Sequence, residues 1–137
     1  MSLNNLIIKN FMIKLEDSPT VHSSQILKEV IDQMDNYNLG IVCIIDDDNN
    51  LKGVITDGDL RRALLKNQKP LSAILIDDAI KYSAKQPLTI HQDKILIDSI
   101  KLMNKKQIWD LPVIDSNNKL VGLLHLHTAI KNYLEAS

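Results

Sequence analysis

The chain has one cysteine, few aromatic residues, almost no net charge and no long apolar run. Its single cysteine, Cys43, lies inside the apolar run GIVCII, so no internal disulfide can form and the residue reads as a small buried hydrophobe rather than a nucleophile. Aromatic residues make up 4% of the chain, too few for a base-stacking surface along single-stranded nucleic acid. With 16 basic residues against 17 acidic, a net charge of −1, there is no global field to attract nucleic acid or an acidic membrane. Any nucleotide must therefore be caught by a local site. The start, MSLNNLIIKNFMIKLED, has no positive region followed by a long apolar core, and no window approaches the roughly 18 to 20 apolar residues of a membrane span. The expectation is a soluble, cytoplasmic protein.

What is present is a duplication. The 137 residues, 45% of them hydrophobic, suffice for one compact domain or two very small ones with a shared core. The segment from Thr20, TVHSSQILKEVIDQMDNYNLGIVCIIDDDNNLKGVITDGDLRRALL, aligns without a gap on the segment from Thr89, TIHQDKILIDSIKLMNKKQIWDLPVIDSNNKLVGLLHLHTAIKNYL. Thr20 falls on Thr89, His22 on His91, Ile31 on Ile100, Met34 on Met103, Asp46 on Asp115, Asn49 on Asn118, Gly53 on Gly122 and Leu65 on Leu134. Matches spread over core-type and turn-type positions alike are what an internal repeat leaves.

Each copy reads as strand, helix, strand, strand, helix. The β-branched Thr20–His22 and Thr89–His91 predict short strands, and the serines and the Gln-Asp that follow serve as helix-start signals. Ile26, Leu27, Val30, Ile31 and Met34 recur at helical spacing, as do Ile95, Leu96, Ile100 and Met103. IVCII and LPVI predict buried strands, DDDNN and DSNN are turn compositions, and LKGVI and LVGLL return as the next strands, so each copy contains a β-hairpin. DLRRALLK and LHTAIKNYL close the copies as helices. The chain thus divides into an N-terminal arm (1–10), a first repeat (11–67), a connector with a short helix (68–87) and a second repeat (88–137). A unit this small leaves one face uncovered, which predicts an α/β (α+β) fold of two βαββα repeats packed about a pseudo-twofold axis, with clefts between them.

The most unusual stretch is VITDGDLRRALL, where Thr56, Asp57, Gly58, Asp59, Arg61 and Arg62 crowd one strand-to-helix junction. A helix N-terminus favours an anion, and two carboxylates beside two guanidinium groups suit a ligand with both hydroxyls and an anionic group. A plainer reading has Thr56 or Asp57 capping the helix, with the arginines solvated or paired to Asp59. In the second repeat His125 and Thr128 replace Thr56 and Asp59, so two equal sites are not expected. His125 and His127 alternate on a strand end but fall short of the three or four ligands zinc takes, and no metal is expected. His22 and His91 repeat with the fold and read as strand-end positions. DDDNN lacks the central glycine and distant glutamate of a calcium loop, and no glycine-rich phosphate loop, nucleophile elbow or paired acid and base appears.

A tandem βαββα repeat in which a strand ends in Gly, two apolar residues, Thr, two residues and then Asp resembles the cystathionine-β-synthase (CBS) domain pair, or Bateman module. The stretches GVITDGDLRRALL and IWDLPVIDSNNKLVGLLHLH resemble most the C-terminal CBS pair of the arabinose-5-phosphate isomerases of Kdo and lipopolysaccharide synthesis. Those enzymes carry a catalytic sugar-isomerase (SIS) domain before the pair. About ten residues precede the first unit here, so the expectation is a regulatory fragment or free-standing pair without catalytic residues, acting on an SIS domain in cis or in trans. The resemblance implies that Thr56 Oγ1 donates to a phosphate, that Asp59 accepts from ribose hydroxyls, that Gly58 allows close backbone approach, and that Arg61 or Arg62 pairs with phosphate or a sugar-acid carboxylate. It implies that Trp109 and Asp110 line the ligand cleft, Trp109 stacking on a base or packing in the core or at a dimer, and that His125 and His127 contact an anion. The implied ligand is AMP, ADP, ATP or CMP-Kdo, the implied assembly a homodimer, and the alternative role a dimerisation scaffold.

Overall fold

In a computed structural model of the protein, residues 5–136 are described; the first four residues of the expected arm and Ser137 lie outside the described residues. The elements run β1 (Ile13–Lys14), β2 (Thr20–His22), α1 (Leu27–Tyr37), β3 (Ile41–Ile45), β4 (Leu51–Thr56), α2 (Asp57–Lys66), α3 (Leu71–Leu75), β5 (Ile90–His91), α4 (Leu96–Lys106), β6 (Asp110–Ile114), β7 (Leu120–His125) and α5 (Leu126–Ala136). A 3-10 turn at Ala79–Tyr82 follows α3 in the connector. The two expected βαββα units are therefore β2-α1-β3-β4-α2 and β5-α4-β6-β7-α5.

The hairpins form for the reason their composition suggests. Asp46 Oδ1 accepts from the backbone N–H of Asp48 and of Asn50, both at 2.9 Å, while Asn49 takes the left-handed conformation at φ 63°. Asp115 Oδ1 does the same for Asn117 and Lys119, and Asn118 sits at φ 61°. An aspartate that satisfies its own turn and an asparagine that tolerates positive φ make a tight hairpin in each copy. Helices α1 and α4 end on left-handed Asn38 and Gln107, whose N–H groups bond back to Met34 O and Met103 O.

The starts of α1 and α4 differ from the expectation. Their N-caps are Ile26 and Ile95, and neither helix has a side-chain cap. Ser24 Oγ instead lies 2.8 Å from His22 Nδ1, and Gln25 Oε1 accepts from His22 N. The first helical N–H of each is satisfied by a backbone carbonyl from elsewhere: Leu27 N donates to Asp77 O at 2.9 Å, and Leu96 N to Leu6 O at 2.7 Å. Tertiary backbone bonds thus take over one of the orphan donors at each helix start.

Those two bonds reveal how the chain is partitioned. Ala79 N donates to Gln25 O, and in the same register Ile8 N donates to Lys94 O. Ile26 bridges Asp78 as Ile95 bridges Ile7. The connector therefore completes the first repeat, and the N-terminal segment completes the second. One compact unit is Pro19–Pro87; the other joins the chain up to Ser18 with the chain from Leu88 onward. Residues 11–18, grouped with the first repeat on sequence, lie with the second, because β1 pairs antiparallel with β7, Ile13 opposite Leu123. The arm is no loose extension: Ile8 is fully buried and Leu6 nearly so. Each such side chain contributes about 1.5–3 kcal/mol through the apolar area it removes from water.

Within the first unit the sheet order is β2-β3-β4, parallel then antiparallel. Its core gathers Val21, Leu27, Val30, Val42, Ile44 and Ile55 with Ile74 and Ala79 of the connector. The second unit has the order β1-β7-β6-β5 and a core of Ile8, Leu96, Met103, Leu111, Val113 and Leu124, joined by Leu6 and Ala129. Cys43 is buried in β3, as its apolar surroundings imply. Among the described residues no helix is long and apolar enough to cross a membrane.

Candidate functional site

In the first repeat, β4 delivers Thr56 directly into α2. Thr56 is the N-cap: its Oγ1 accepts from Asp59 N at 3.1 Å, and Asp59 Oδ2 accepts from Thr56 N at 2.9 Å. This is a reciprocal capping box, with aspartate in the place that glutamate more often fills. Thr56 Oγ1 also donates to Asp59 Oδ2 at 3.1 Å, and Arg62 Nη2 donates to Asp59 Oδ1 at 2.7 Å. These contacts match the plainer of the two sequence readings: Thr56 caps the helix, and Asp59 pairs with Arg62.

Capping does not exhaust this carboxylate. Each oxygen has two lone pairs, and Asp59 keeps about a fifth of its side chain exposed. Of the four lone pairs three are taken, by Thr56 N, Thr56 Oγ1 and Arg62 Nη2, so one ribose hydroxyl finds an acceptor as the site stands and a second does when the Thr56 hydroxyl turns away. The Thr56 hydroxyl hydrogen, in contrast, already points at Asp59 and must turn before it can reach a phosphate.

Asp57 holds the other side of the junction. Its N–H donates to Gly40 O at 3.0 Å, and its Oδ1 accepts from Gly58 N at 2.9 Å. A Cβ on Gly40 would stand 2.7 Å from Asp57 Oδ2, so this carboxylate occupies space that only glycine leaves. Gly58 is less constrained. No glycine in the described chain has positive φ, and a Cβ at 58 would approach Arg62 Nη1 no closer than 3.3 Å. Arg61 is exposed and has no bonded partner among the described residues.

The second repeat keeps the backbone and changes the chemistry. Leu126 N donates to Trp109 O at 2.7 Å, the counterpart of the Asp57 bond to Gly40. His125, opposite Asp110 across β6 and β7, places Nδ1 2.8 Å from Asp110 Oδ1, with 22% and 11% of the two side chains exposed. The sequence reading set His125 and His127 alternating on one strand end. The structure corrects this: Leu126 begins α5, so His125 closes the strand while His127 is exposed in the first helical turn. Among the described residues no group of three potential metal ligands is found. Trp109 is 69% exposed and borders a hollow of about 420 Å³ together with Met103, Asn104, Gln107, Ile108 and Leu126.

The structure thus unites Thr56, Asp59 and Arg62, joins Asp57 to Gly40 and Gly58, and pairs Asp110 with His125. It also brings in residues that sequence reasoning passed over. The outward face of α2 meets the connector turn, and Asp59, Arg62, Lys66, Asn67, Lys81 and Tyr82 surround a hollow of about 280 Å³. Behind it, Asp77 Oδ2 accepts from Tyr82 Oη and Lys69 Nζ and lies 3.6 Å from Lys81 Nζ. The Tyr82 hydroxyl foremost, then Lys69, draws the Asp77 carboxyl down to about 2. Connector composition carried no signal for this cluster, because its partners meet only once the connector has folded back onto the first repeat.

The family description "CBS domain" matches residues 8–66 and again 77–135. Among curated relatives, arabinose 5-phosphate isomerase KpsF of Escherichia coli is 33% identical over 110 residues, covering 80% of this chain and 32% of that protein. A Helicobacter pylori protein is 30% identical over 139 residues, covering 96% of this chain and 40% of the relative. The chain spans about 30 to 40% of the length of the curated relatives it matches. Among solved structures, CBSX2 of Arabidopsis thaliana in complex with AMP superposes with a TM-score of 0.81 at 23% identity, covering 96% of this chain and 98% of that one. The CBS domain pair of MJ0100, in complex with 5′-methylthioadenosine and S-adenosyl-L-methionine, gives 0.74 at 23% identity, with the same coverage.

Proposed function

Since this chain belongs to the CBS domain family, as a tandem pair of its repeats, we propose that it is a non-catalytic regulatory module that binds a nucleotide at the β4–α2 junction of its first repeat. The observation that carries this reading is the Asp59 carboxylate. It is fixed by the capping box and Arg62, it is partly exposed, and it has acceptor capacity left beside a helix N-terminus. AMP, methylthioadenosine and S-adenosylmethionine, bound by the solved relatives, each carry the ribose chemistry that such a carboxylate suits. The asymmetry between repeats favours one such site, because the second repeat places Thr128 where the first has Asp59. In this reading Trp109, Asp110, His125 and His127 serve the second repeat's own, different contacts.

The likeness to the arabinose-5-phosphate isomerase extends the proposal. The module modulates a sugar-phosphate isomerase, its SIS domain in cis or in trans, and the ligand is an adenine nucleotide or the pathway product CMP-Kdo. Such a module works in the cytoplasm as a homodimer. The test is a thermal-shift screen with AMP, ADP, ATP, CMP, CMP-Kdo and S-adenosylmethionine, since a ligand that prefers the native state raises the melting temperature. One of them is expected to produce a shift that Asp59→Asn abolishes, each variant being referred to its own ligand-free melting temperature. Absence of a shift with all six would refute the reading.

A scaffold role is the second reading, and one observation favours it. Leu64, Leu65, Leu71 and Ile76 are between 51% and 79% exposed in the first unit, beside an apolar hollow of about 120 Å³ between α1, α2 and α3. A self-associating surface of this kind predicts a dimer in sedimentation whose stability is indifferent to every nucleotide.

A further inference from the structure

We infer that the hollow between α2 and the connector turn Ala79–Tyr82 receives an oligophosphate group, so that the ligand of the first repeat carries two or more consecutive phosphoryl groups. This inference rests on the nucleotide reading of the Asp59 junction and adds the class of nucleotide.

Three cations border the hollow, Arg62, Lys66 and Lys81, against the single carboxylate of Asp59. Asp59 is already neutralised by Arg62, which spends one of its five donors there. Lys66 forms no ion pair among the described residues. Lys81 shares Asp77 with Lys69 and the Tyr82 hydroxyl, so that one carboxylate faces two lysines. The local excess of positive charge arises in a chain whose net charge is −1, and overall basicity does not explain it.

The duplication supplies an internal control. If Lys66 and Lys81 merely solvated a helix end and a turn, the second repeat would need them equally. By the repeat alignment, Thr128, Lys131 and Glu135 stand at the positions of Asp59, Arg62 and Lys66. By the shared hydrogen-bond register that sets Ala79 against Ile8, Asn10 and Phe11 stand at the positions of Lys81 and Tyr82. The backbone is the same, yet Lys66 and Lys81 have no basic counterpart and only Arg62 keeps one, in Lys131, which makes the two lysines a property of this site rather than of the fold. At about 280 Å³ the hollow is smaller than pockets that swallow a whole ligand, typically about 300–1,000 Å³, and fits a part of one. Because it begins at Asp59, a ribose held by that carboxylate can pass its phosphates along α2 toward Lys66. Arginine and lysine together supply the donors and the charge that consecutive phosphoryl groups require.

The test is titration calorimetry on the full chain with AMP, ADP, ATP and sodium tripolyphosphate, in the wild type and in Lys66→Ala, Lys81→Ala and, as a control on the second repeat, Lys131→Ala. All three lysines are exposed, so the variants keep the core. The expected result is tighter binding of ADP or ATP than of AMP by about tenfold, with each first-repeat variant removing about fivefold of that preference and the control none. Tripolyphosphate alone should bind weakly with the same lysine dependence and weaken as salt rises. Equal affinity for AMP, ADP and ATP, all lost in Asp59→Asn, would overturn the inference and leave the nucleotide reading standing. Lysine-dependent binding of tripolyphosphate with none of any nucleotide would uphold the hollow and overturn that reading. Tripolyphosphate binding insensitive to both lysines, or absent, would overturn the inference.

Discussion

Asp59→Ala is the obvious probe of ligand binding, and the structure says that it first perturbs the helix. Besides the Thr56 hydroxyl bond, which can turn to solvent instead, three contributions disappear with the carboxylate. The bond from Thr56 N, with a charged acceptor, is worth about 1–1.5 kcal/mol. The i,i+3 pair with Arg62 is worth about 0.2–0.5 kcal/mol. The favourable placement of an anion in the first turn of α2 adds about 0.3–1 kcal/mol. Alanine returns roughly 0.5 kcal/mol in helix propensity. The expected net cost is about 1–2.5 kcal/mol, a fall in melting temperature of roughly 3–10 °C for a chain of this size. The assay is urea unfolding followed by far-UV circular dichroism, with Asp59→Asn in parallel. The asparagine keeps an oxygen for the Thr56 amide and should recover about half of the loss, while failing the ribose as fully as alanine does. If Asp59→Ala unfolds at the same urea concentration as the wild type, the capping box contributes nothing and the account of this junction fails. If both variants lose ligand while only alanine loses stability, recognition and capping are separable functions of one carboxylate.

Two further outcomes follow from the same structure. Gly122 faces the backbone of β1, where a Cβ would collide with Ile13 O and stand 2.8 Å from Met12 Sδ; Gly122→Ala should cost about 1–3 kcal/mol in urea unfolding, more than Gly53→Ala, whose nearest obstacle is the Ser83 hydroxyl at 2.6 Å. Unchanged stability in Gly122→Ala would remove β1 from its place against β7. The Asp77 carboxyl, lowered from 3.8 to about 2 chiefly by Tyr82, stabilises the fold in its charged form, so its contribution is whole above pH 3.8 and is lost as pH falls toward 2. The gap in melting temperature between wild type and Asp77→Asn should therefore narrow between pH 5 and pH 2.5; a constant gap across that range would refute the assignment.

The repeat and nearly all of its elements were legible in the residues themselves. Periodicities of two and of 3.6, the Asp and Asn of the hairpins and the gapless alignment all act over a few neighbouring positions, where sequence order and spatial order coincide. Thr56 ahead of Asp59 was legible for the same reason, as both a cap and a candidate site. The helix starts were misread because Ser23, Ser24 and Asp93 are good capping residues, whereas the first helical N–H groups of α1 and α4 found carbonyls of Asp77 and Leu6, distant in the chain.

What tertiary structure alone decided is which lead segment serves which repeat. Residues around Leu6 and around Asp77 make the same backbone bonds, yet Leu6-Ile7-Ile8 and Asp77-Asp78-Ala79 share no side-chain pattern that would align them. Backbone hydrogen bonds carry no residue code, so their register stays hidden until the chain is folded. The same exchange sets Lys81 and Tyr82 opposite Arg62 and Lys66. The cations of α2 were on view in the sequence; the hollow that gives them a use was not.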